Sequence, residues 1–401
     1  MRRLLWYGDA PCAATGFGTV SRNVLAALHA TGDWEIVNRG INFHGQLHPF
    51  PYTILPAKIN EPDPFGRMNY MRDLTAGGGK PFDLTIINND LYTLGGLSDD
   101  LTHLADKGMQ TRSILYYPVD YSIVPGWESA INAVTMPVAY SHFGENETKK
   151  VTDRPVAVIP HGCEQVERIS AAERAEWRRQ IGVKPDEFLW ITVNRNSQRK
   201  DIARTIQAFA AFHSYQPASR LYVHCQPVDT VFDMHEAVRA AGVGDCVAFP
   251  ADFSISNGGM PRDMLMRMIQ LGDAFITTHL GEGWGLTVTE AMACGLPIVA
   301  PNNTTMPEIL GASYPYLYPC ADTVWIDNSG FRPRGLLRDI FGAMKRCYDQ
   351  RGTEEQAAAL AKNADFVRTV SWDAVGKMWL ALIDHTMTLP VQRARAISEA
   401  V

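Results

Sequence analysis

The sequence predicts an α/β fold of two doubly wound domains facing each other across a cleft, and three observations carry that prediction. The chain has 401 residues, beyond the size at which a single hydrophobic core stops growing, so it should divide. Short apolar runs alternate with amphipathic stretches from end to end, the pattern of a parallel sheet covered by helices on both faces. A Pro-Gly break at Val158-Ile159-Pro160-His161-Gly162, followed by the charged stretch Ala171–Gln180, has linker chemistry. The predicted parts are residues 1–165, residues 166–370 and a terminal segment 371–401.

In the first part the strand candidates are Arg3–Gly8, Glu35–Gly40, Leu84–Asn88, Ser113–Val119, Val134–Ser141 and Val156–Pro160. In the second they are Phe188–Val193, Leu221–His224, Val247–Pro250, Ala274–Thr278 and Pro297–Ala300. These β-branched and aromatic runs, bounded by Gly, Pro or Asn, suit strands buried on both faces. Helical spacing appears in Thr19–Ala30, Ile202–His213 and Leu286–Cys294. The last apolar pattern, Trp372–His385, predicts a terminal helix that packs on one domain or bridges both.

Composition narrows the function classes. Net charge is −6 and the acidic excess is spread over both halves, which argues against a broad nucleic-acid-binding surface. The seven cysteines are scattered and form no C-x-x-C pair; with no His at ligand spacing, the expectation is no metal and a reducing compartment. Met-Arg-Arg runs straight into Leu4-Leu5-Trp6-Tyr7, too short for a signal peptide. No apolar run reaches the roughly 18 residues of a membrane span. A cytoplasmic protein without stable membrane insertion is the expectation.

Ligands of such sheets sit at the C-terminal ends of the strands, and four segments there hold chemistry. Thr15-Gly16-Phe17-Gly18-Thr19 leads into the first helix; Gly16 and Gly18 allow close backbone approach, and the helix start suits an anion, although an isolated GxG is also an ordinary helix-starting turn. Val193-Asn194-Arg195-Asn196-Ser197-Gln198-Arg199-Lys200-Asp201 sets Arg195 and Lys200 five apart, where two cations can neutralise a departing diphosphate or simply be solvated. His279-Leu280-Gly281-Glu282-Gly283-Trp284-Gly285-Leu286-Thr287-Val288-Thr289-Glu290 joins a glycine-rich turn to a helix start, with one glutamate before the helix and one about a turn inside it. Each carboxylate can accept two hydroxyl hydrogens, so the pair suits a ribose diol and a hexose diol. Asp120, after Tyr116-Tyr117-Pro118-Val119, is either a polar group near an acceptor or a turn former.

On these residues the chain resembles the retaining glycosyltransferases of family four, which have two Rossmann-like domains in the GT-B architecture. The resemblance covers most of the second domain and is fainter in the first. Glu282-Gly-Trp-Gly-Leu-Thr-Val-Thr-Glu290-Ala-Met-Ala-Cys-Gly-Leu-Pro is similar to that family's two-glutamate motif, Arg195 and Lys200 to its cation pair, Val158–Gly162 to its linker, and Ser371-Trp372 to the start of its last helix, which crosses back to the first domain. The resemblance implies that Glu290 binds the donor ribose. It implies that Glu282 meets the transferred sugar beside Gly283, Trp284, Gly285 and Leu286. Arg195 and Lys200 would grip the diphosphate, and Gly16 and Gly18 would approach the phosphates from the other domain. It further implies a nucleotide-sugar donor (UDP- ahead of GDP- or ADP-sugar), no further cofactor, no metal, and transfer to a hydroxyl of a glycan, small molecule or lipid headgroup.

Departures exist. No His stands in Tyr117–Asp120 where many members carry one, leaving Asp120 or a carbonyl to take part of that role. Asn194 replaces a Gly, His161 replaces an Asn, and Asp252–Pro261 shows no base-reading signature. Two other functions compete. Viral enzymes of this plan modify hydroxymethylated DNA bases, and Phe43, Tyr116, Tyr117 and Trp127 offer rings for an extruded base. A binding protein or epimerase without transferase activity would keep the fold alone. The stretch His142–Arg154, basic but also rich in Glu, reads as a solvated helix rather than a membrane-docking one.

Overall fold

The computed structural model describes residues 1–58, 63–76, 80–109, 111–229, 232–251, 259–326 and 330–391. The chain separates into two units, Met1–Gly162 with Trp372–Val401, and Cys163–Ser371. It therefore passes from one unit to the other twice.

Unit 1 is built on seven strands: β1 (Arg2–Asp9), β2 (Trp34–Ile41), β3 (Thr53–Pro56), β4 (Leu84–Asn88), β5 (Arg112–Tyr117), β6 (Met136–Ala139) and β7 (Ala157–Val158). Their order is β3-β2-β1-β4-β5-β6-β7 and every pairing is parallel. All of β4 and the last six residues of β1 are buried, as the unbroken apolar runs require. The helix Gly16–Ala30 begins where Thr15 accepts a hydrogen bond from the Gly18 amide. The helix Trp372–Thr388 lies in this unit: Trp379 is fully buried, with its ring 6.1 Å from Trp6 and 4.9 Å from Tyr116. Where the chain leaves the unit, a Cβ on Gly162 would lie 2.3 Å from the Trp372 ring, so only glycine lets the two crossing segments lie this close.

Unit 2 carries β8 (Phe188–Val193), β9 (Ser219–His224), β10 (Val247–Ala248), β11 (Ala274–Ile276), β12 (Ile298–Pro301) and β13 (Leu317–Tyr318), in the order β10-β9-β8-β11-β12-β13. These pairings too are all parallel. An antiparallel hairpin, β14 (Asp322–Ile326) with β15 (Gly330–Arg334), stands outside the sheet. Ser170 and Glu173 close a capping box on the helix Ala171–Gln180, which anchors to the sheet through Arg174 and Arg178 on Asp273. Both units are doubly wound α/β sheets, as the alternation predicts. The strands Thr53–Pro56 and Leu317–Tyr318 and the hairpin are additions that the apolar pattern did not reveal. Among the described residues no helix is long and apolar enough to cross a membrane.

Candidate active site

The glycine-rich turn of unit 2 follows β11, and the order β8-β11-β12 puts it between the loops that leave β8 and β12. Both loops hold it. From the β8 side, the Leu280 amide donates to the Arg199 carbonyl at 2.8 Å, and the Arg199 guanidinium donates to the Gly281 carbonyl at 2.5 Å. From the β12 side, Thr304 Oγ1 accepts from the Glu282 amide at 3.0 Å, and Thr305 Oγ1 donates to the Trp284 carbonyl at 2.9 Å. The turn ends at Gly285, whose φ of +105° starts the helix Leu286–Ala293 without a side-chain cap. An uncapped helix start presents unsatisfied N–H groups and the positive end of the helix dipole.

Glu282 is buried, and its carboxylate takes Lys200 on Oε1 and Arg199 on Oε2 at 3.0 Å. Burial opposes its ionisation, yet Lys200, Arg199 and His279 hold it well below the usual carboxylate range. Glu290, also buried, pairs through Oε1 with Arg262 Nη1 at 2.7 Å. Arg262 in turn takes both Glu164 oxygens on Nε at 3.1 Å. Burial pushes Glu290 up against the pull of Arg262. The guanidinium, which burial would lower, is raised above its ordinary range by Glu290 and Glu164. Behind the β8 loop, Asp201 adopts φ +46° and is clamped by Arg334 at 2.7 and 3.0 Å.

The structure thus brings Lys200 and Glu282 into direct contact, with Glu290 in the helix that the turn opens. Gly283 and Gly285 are buried in that turn and Leu286 begins the helix. Arg195 is exposed on the same loop and makes no ion pair with a described residue. The Trp284 side chain is buried, with its ring 6.2 Å from Phe366 and nearly parallel to it, which anchors the turn. Asp120, Gly16 and Gly18 belong to unit 1. Asp120 is half-buried, and Gly16 is exposed at its helix start. Gly18 is fixed by packing, since a Cβ there would lie 2.3 Å from the Ala13 carbonyl oxygen, and its amide is already taken by Thr15.

One reading of unit 1 needs correction. Tyr116 and Tyr117 are fully buried and Phe43 nearly so, so these three rings cannot receive an extruded base, while Trp127 is half-buried against the core. His161 is a core residue: its Nδ1 lies 2.7 Å from the Tyr116 hydroxyl, and burial lowers its pKa to about 3. The stretch from His142 is a short solvated helix whose Lys149 and Lys150 pair with Glu145 and Glu147. Of Asp252–Pro261, residues 252–258 lie outside the described residues. Sequence reasoning missed Arg199 and Arg262. Arg199 stood beside Lys200 as one more solvated cation, and Arg262 lies far along the chain from both of its glutamates.

Comparison with known proteins fits this architecture. Residues 173–322 match the family described as glycosyl transferases group 1. The chain is 30% identical to the D-inositol 3-phosphate glycosyltransferase of Actinosynnema mirum over 153 residues, 36% of this chain and 35% of the relative. It is 25% identical to the alpha-monoglucosyldiacylglycerol synthase of Acholeplasma laidlawii over 166 residues, 38% of this chain and 39% of the relative. The matched stretches thus span well under half of those relatives. Among solved structures, the sucrose-phosphate synthase of Thermosynechococcus elongatus superimposes with a TM-score of 0.70 at 15% identity, covering 97% of this chain and 100% of that one. Anabaena HepE in complex with UDP and glucose gives 0.71 at 14% identity, covering 96% and 100%. The chain has the GT-B fold of two Rossmann-like α/β domains, and its residues 173–322 are similar to the glycosyl transferases of group 1.

Proposed function

We propose that the protein transfers a sugar from a nucleotide diphosphate donor to an acceptor hydroxyl with retention of configuration, needing no metal or further cofactor. The observation that carries this reading is the buried Glu282–Lys200–Arg199 group at an uncapped helix start, with Glu290 inside that helix. A donor diphosphate competes with Glu282 for the Lys200 ammonium. Once Lys200 turns to phosphate, one Glu282 oxygen is released to the hydroxyls of the sugar while Arg199 keeps the other in place. Glu290, oriented by Arg262, accepts from the ribose diol. Lys200, the helix start and the exposed Arg195 supply positive charge where the departing diphosphate gains negative charge, the kind of fixed electrostatic stabilisation that lowers a transfer barrier. HepE, a protein of the same fold, was solved with UDP-glucose, which supports a UDP-sugar as the first donor to try.

Thermal stabilisation across UDP-, GDP- and ADP-sugars, without added metal, tests the reading. A ligand that binds only the folded state at a hundredfold excess over its dissociation constant adds about 2.7 kcal/mol. One nucleotide sugar should shift the transition in the wild type and fail to do so in Glu290→Ala. No shift with any of them overturns the donor assignment.

A further inference from the structure

At the N-terminal edge of the unit 2 sheet, the edge opposite the glycine-rich turn, a thiol and an imidazole meet. The helix Ile202–Tyr215 carries His213 in its last turn and runs on into β9, which starts at Ser219. The short turn Gly244–Cys246 leads into β10, whose Val247 stands in register with Leu221 of β9. The two connections therefore end side by side. Arg220 holds the second of them, donating from Nη1 to the Asp245 carbonyl at 3.2 Å while its Nε pairs with Glu187 at 2.9 Å. Cys246 Sγ then lies 3.4 Å from His213 Nε2, and both residues are half-buried.

A third group decides which way the proton moves. Ser219, a buried residue, donates its single hydroxyl hydrogen to the Gln216 carbonyl at 2.7 Å. Its Oγ can then only accept from His213 Nδ1, 3.1 Å away. Neutral His213 accordingly carries its hydrogen on Nδ1 and turns the lone pair of Nε2 toward the Cys246 thiol. Nucleophile, base and the group that orients the base stand in line, the arrangement that activates a nucleophile. The other six cysteines are placed differently. Burial raises the pKa of Cys12, Cys163, Cys225, Cys294, Cys320 and Cys347. Cys163 and Cys294 spend their thiols on the Thr289 and Met266 carbonyls at 3.3 and 3.5 Å, and Cys12 accepts from Gln46 at 3.6 Å.

We infer that Cys246 is the reactive thiol of this chain, a site of mixed-disulfide formation with a low-molecular-weight disulfide, with His213 as its base and Ser219 as the residue that positions that base. Thiol–disulfide exchange needs only a thiolate and a place for its proton, and the pair provides both. His213 Nε2 takes the Sγ proton, and the Cys246 sulfur attacks one sulfur of the disulfide. The old S–S bond breaks, and the departing thiolate takes the proton back from Nε2. One thiol and one disulfide enter; one mixed disulfide and one small thiol leave. An ordinary thiol is only about 3% ionised at pH 7, so an adjacent base can raise the rate of attack by roughly tenfold. The assignment does not rest on the sugar-transfer reading, whose residues lie at the other edge of the sheet.

Brief treatment of the full chain with oxidised glutathione at pH 7, followed by peptide mass spectrometry, tests this. Cys246 should carry the adduct first, about tenfold faster than any of the other six thiols. His213→Gln should slow the reaction about tenfold. Ser219→Ala, which frees the ring to place its hydrogen on Nε2, should slow it several-fold, with all rates read well below each variant's Tm. Loosened packing would act in the opposite direction, because a more exposed sulfur is attacked faster, so slowing separates activation from a merely structural role. Cys246→Ser should remove the fast adduct. Another cysteine reacting first, no adduct on any thiol, or a His213→Gln chain that reacts as fast as the wild type would each overturn the assignment. A Ser219→Ala chain as fast as the wild type would overturn the orienting role of Ser219.

Discussion

Replacing Lys200 by Met perturbs the centre of the candidate site at nearly constant side-chain volume. In the wild type the Lys200 and Glu282 side chains are 14% and 8% exposed, so the pair is largely desolvated. Removing one partner of such a pair costs about 3–5 kcal/mol when the other is left alone. Glu282 keeps Arg199 at 3.0 Å, so the expected loss is smaller, about 2 kcal/mol. For a unit of this size roughly 2–4 °C accompanies each kcal/mol, which places the fall in Tm at about 4–8 °C in differential scanning calorimetry near pH 7. Glu282→Gln should cost a similar amount, and the double variant less than the sum, with a coupling of about 1–2 kcal/mol in the double-mutant cycle. The pH dependence has a definite sign. The Glu282 carboxyl is held low in the folded state, so its stabilisation is present above the unfolded carboxyl pKa of about 4.3 and fades as pH falls below it. Lys200→Met should flatten that part of the acid limb. A Tm within 2 °C of the wild type, or strictly additive effects, would refute the electrostatic clamping of this turn.

Glu290→Gln keeps the shape beside Arg262 but weakens acceptance from a ribose diol; isothermal titration with the stabilising nucleotide should show roughly tenfold weaker binding, about 1.4 kcal/mol. His161, held neutral by burial with its pKa near 3, favours the folded state above the unfolded pKa of about 6.5 and loses that advantage as pH falls from there toward 3, at up to about 1.4 kcal/mol per pH unit. Chemical denaturation of the wild type and His161→Leu at pH 7 and pH 4.5 should show a smaller pH dependence in the variant. Gly162→Ala should destabilise unit 1, because its new methyl would meet the Trp372 ring; overpacking of this kind costs typically 1–3 kcal/mol, read as a lowered Tm with the nucleotide-dependent shift retained.

Much of this was legible in the sequence for a physical reason. Strands buried on both faces are written as unbroken apolar runs, and β4 and β8 coincide with the predicted Leu84–Asn88 and Phe188–Val193. The turn around Glu282 was visible because glycine spacing and a helix start are local. Its clamps were not. Arg199 differs from any solvated arginine only in three dimensions, where a neighbouring strand end brings it to Gly281 and Glu282. Arg262 joins Glu164 to Glu290 across long stretches of chain, and no spacing rule connects them. The tyrosine pair misled for a related reason: an aromatic at a strand end packs inward as readily as it faces a ligand, and pattern alone does not distinguish the two.

The double passage of the chain between the units bears on how the protein is made. The strands of unit 1 leave the ribosome before unit 2, yet Trp379, which packs against Trp6 and Tyr116, arrives after all of unit 2. Segments that emerge early usually fold early. Here the opening half must wait, with a socket for a tryptophan exposed, while the inserted unit is synthesised and can fold on its own. A nascent chain stalled before residue 372 would therefore carry a finished unit 2 behind an unfinished unit 1, and that apolar socket is where a chaperone would find its grip.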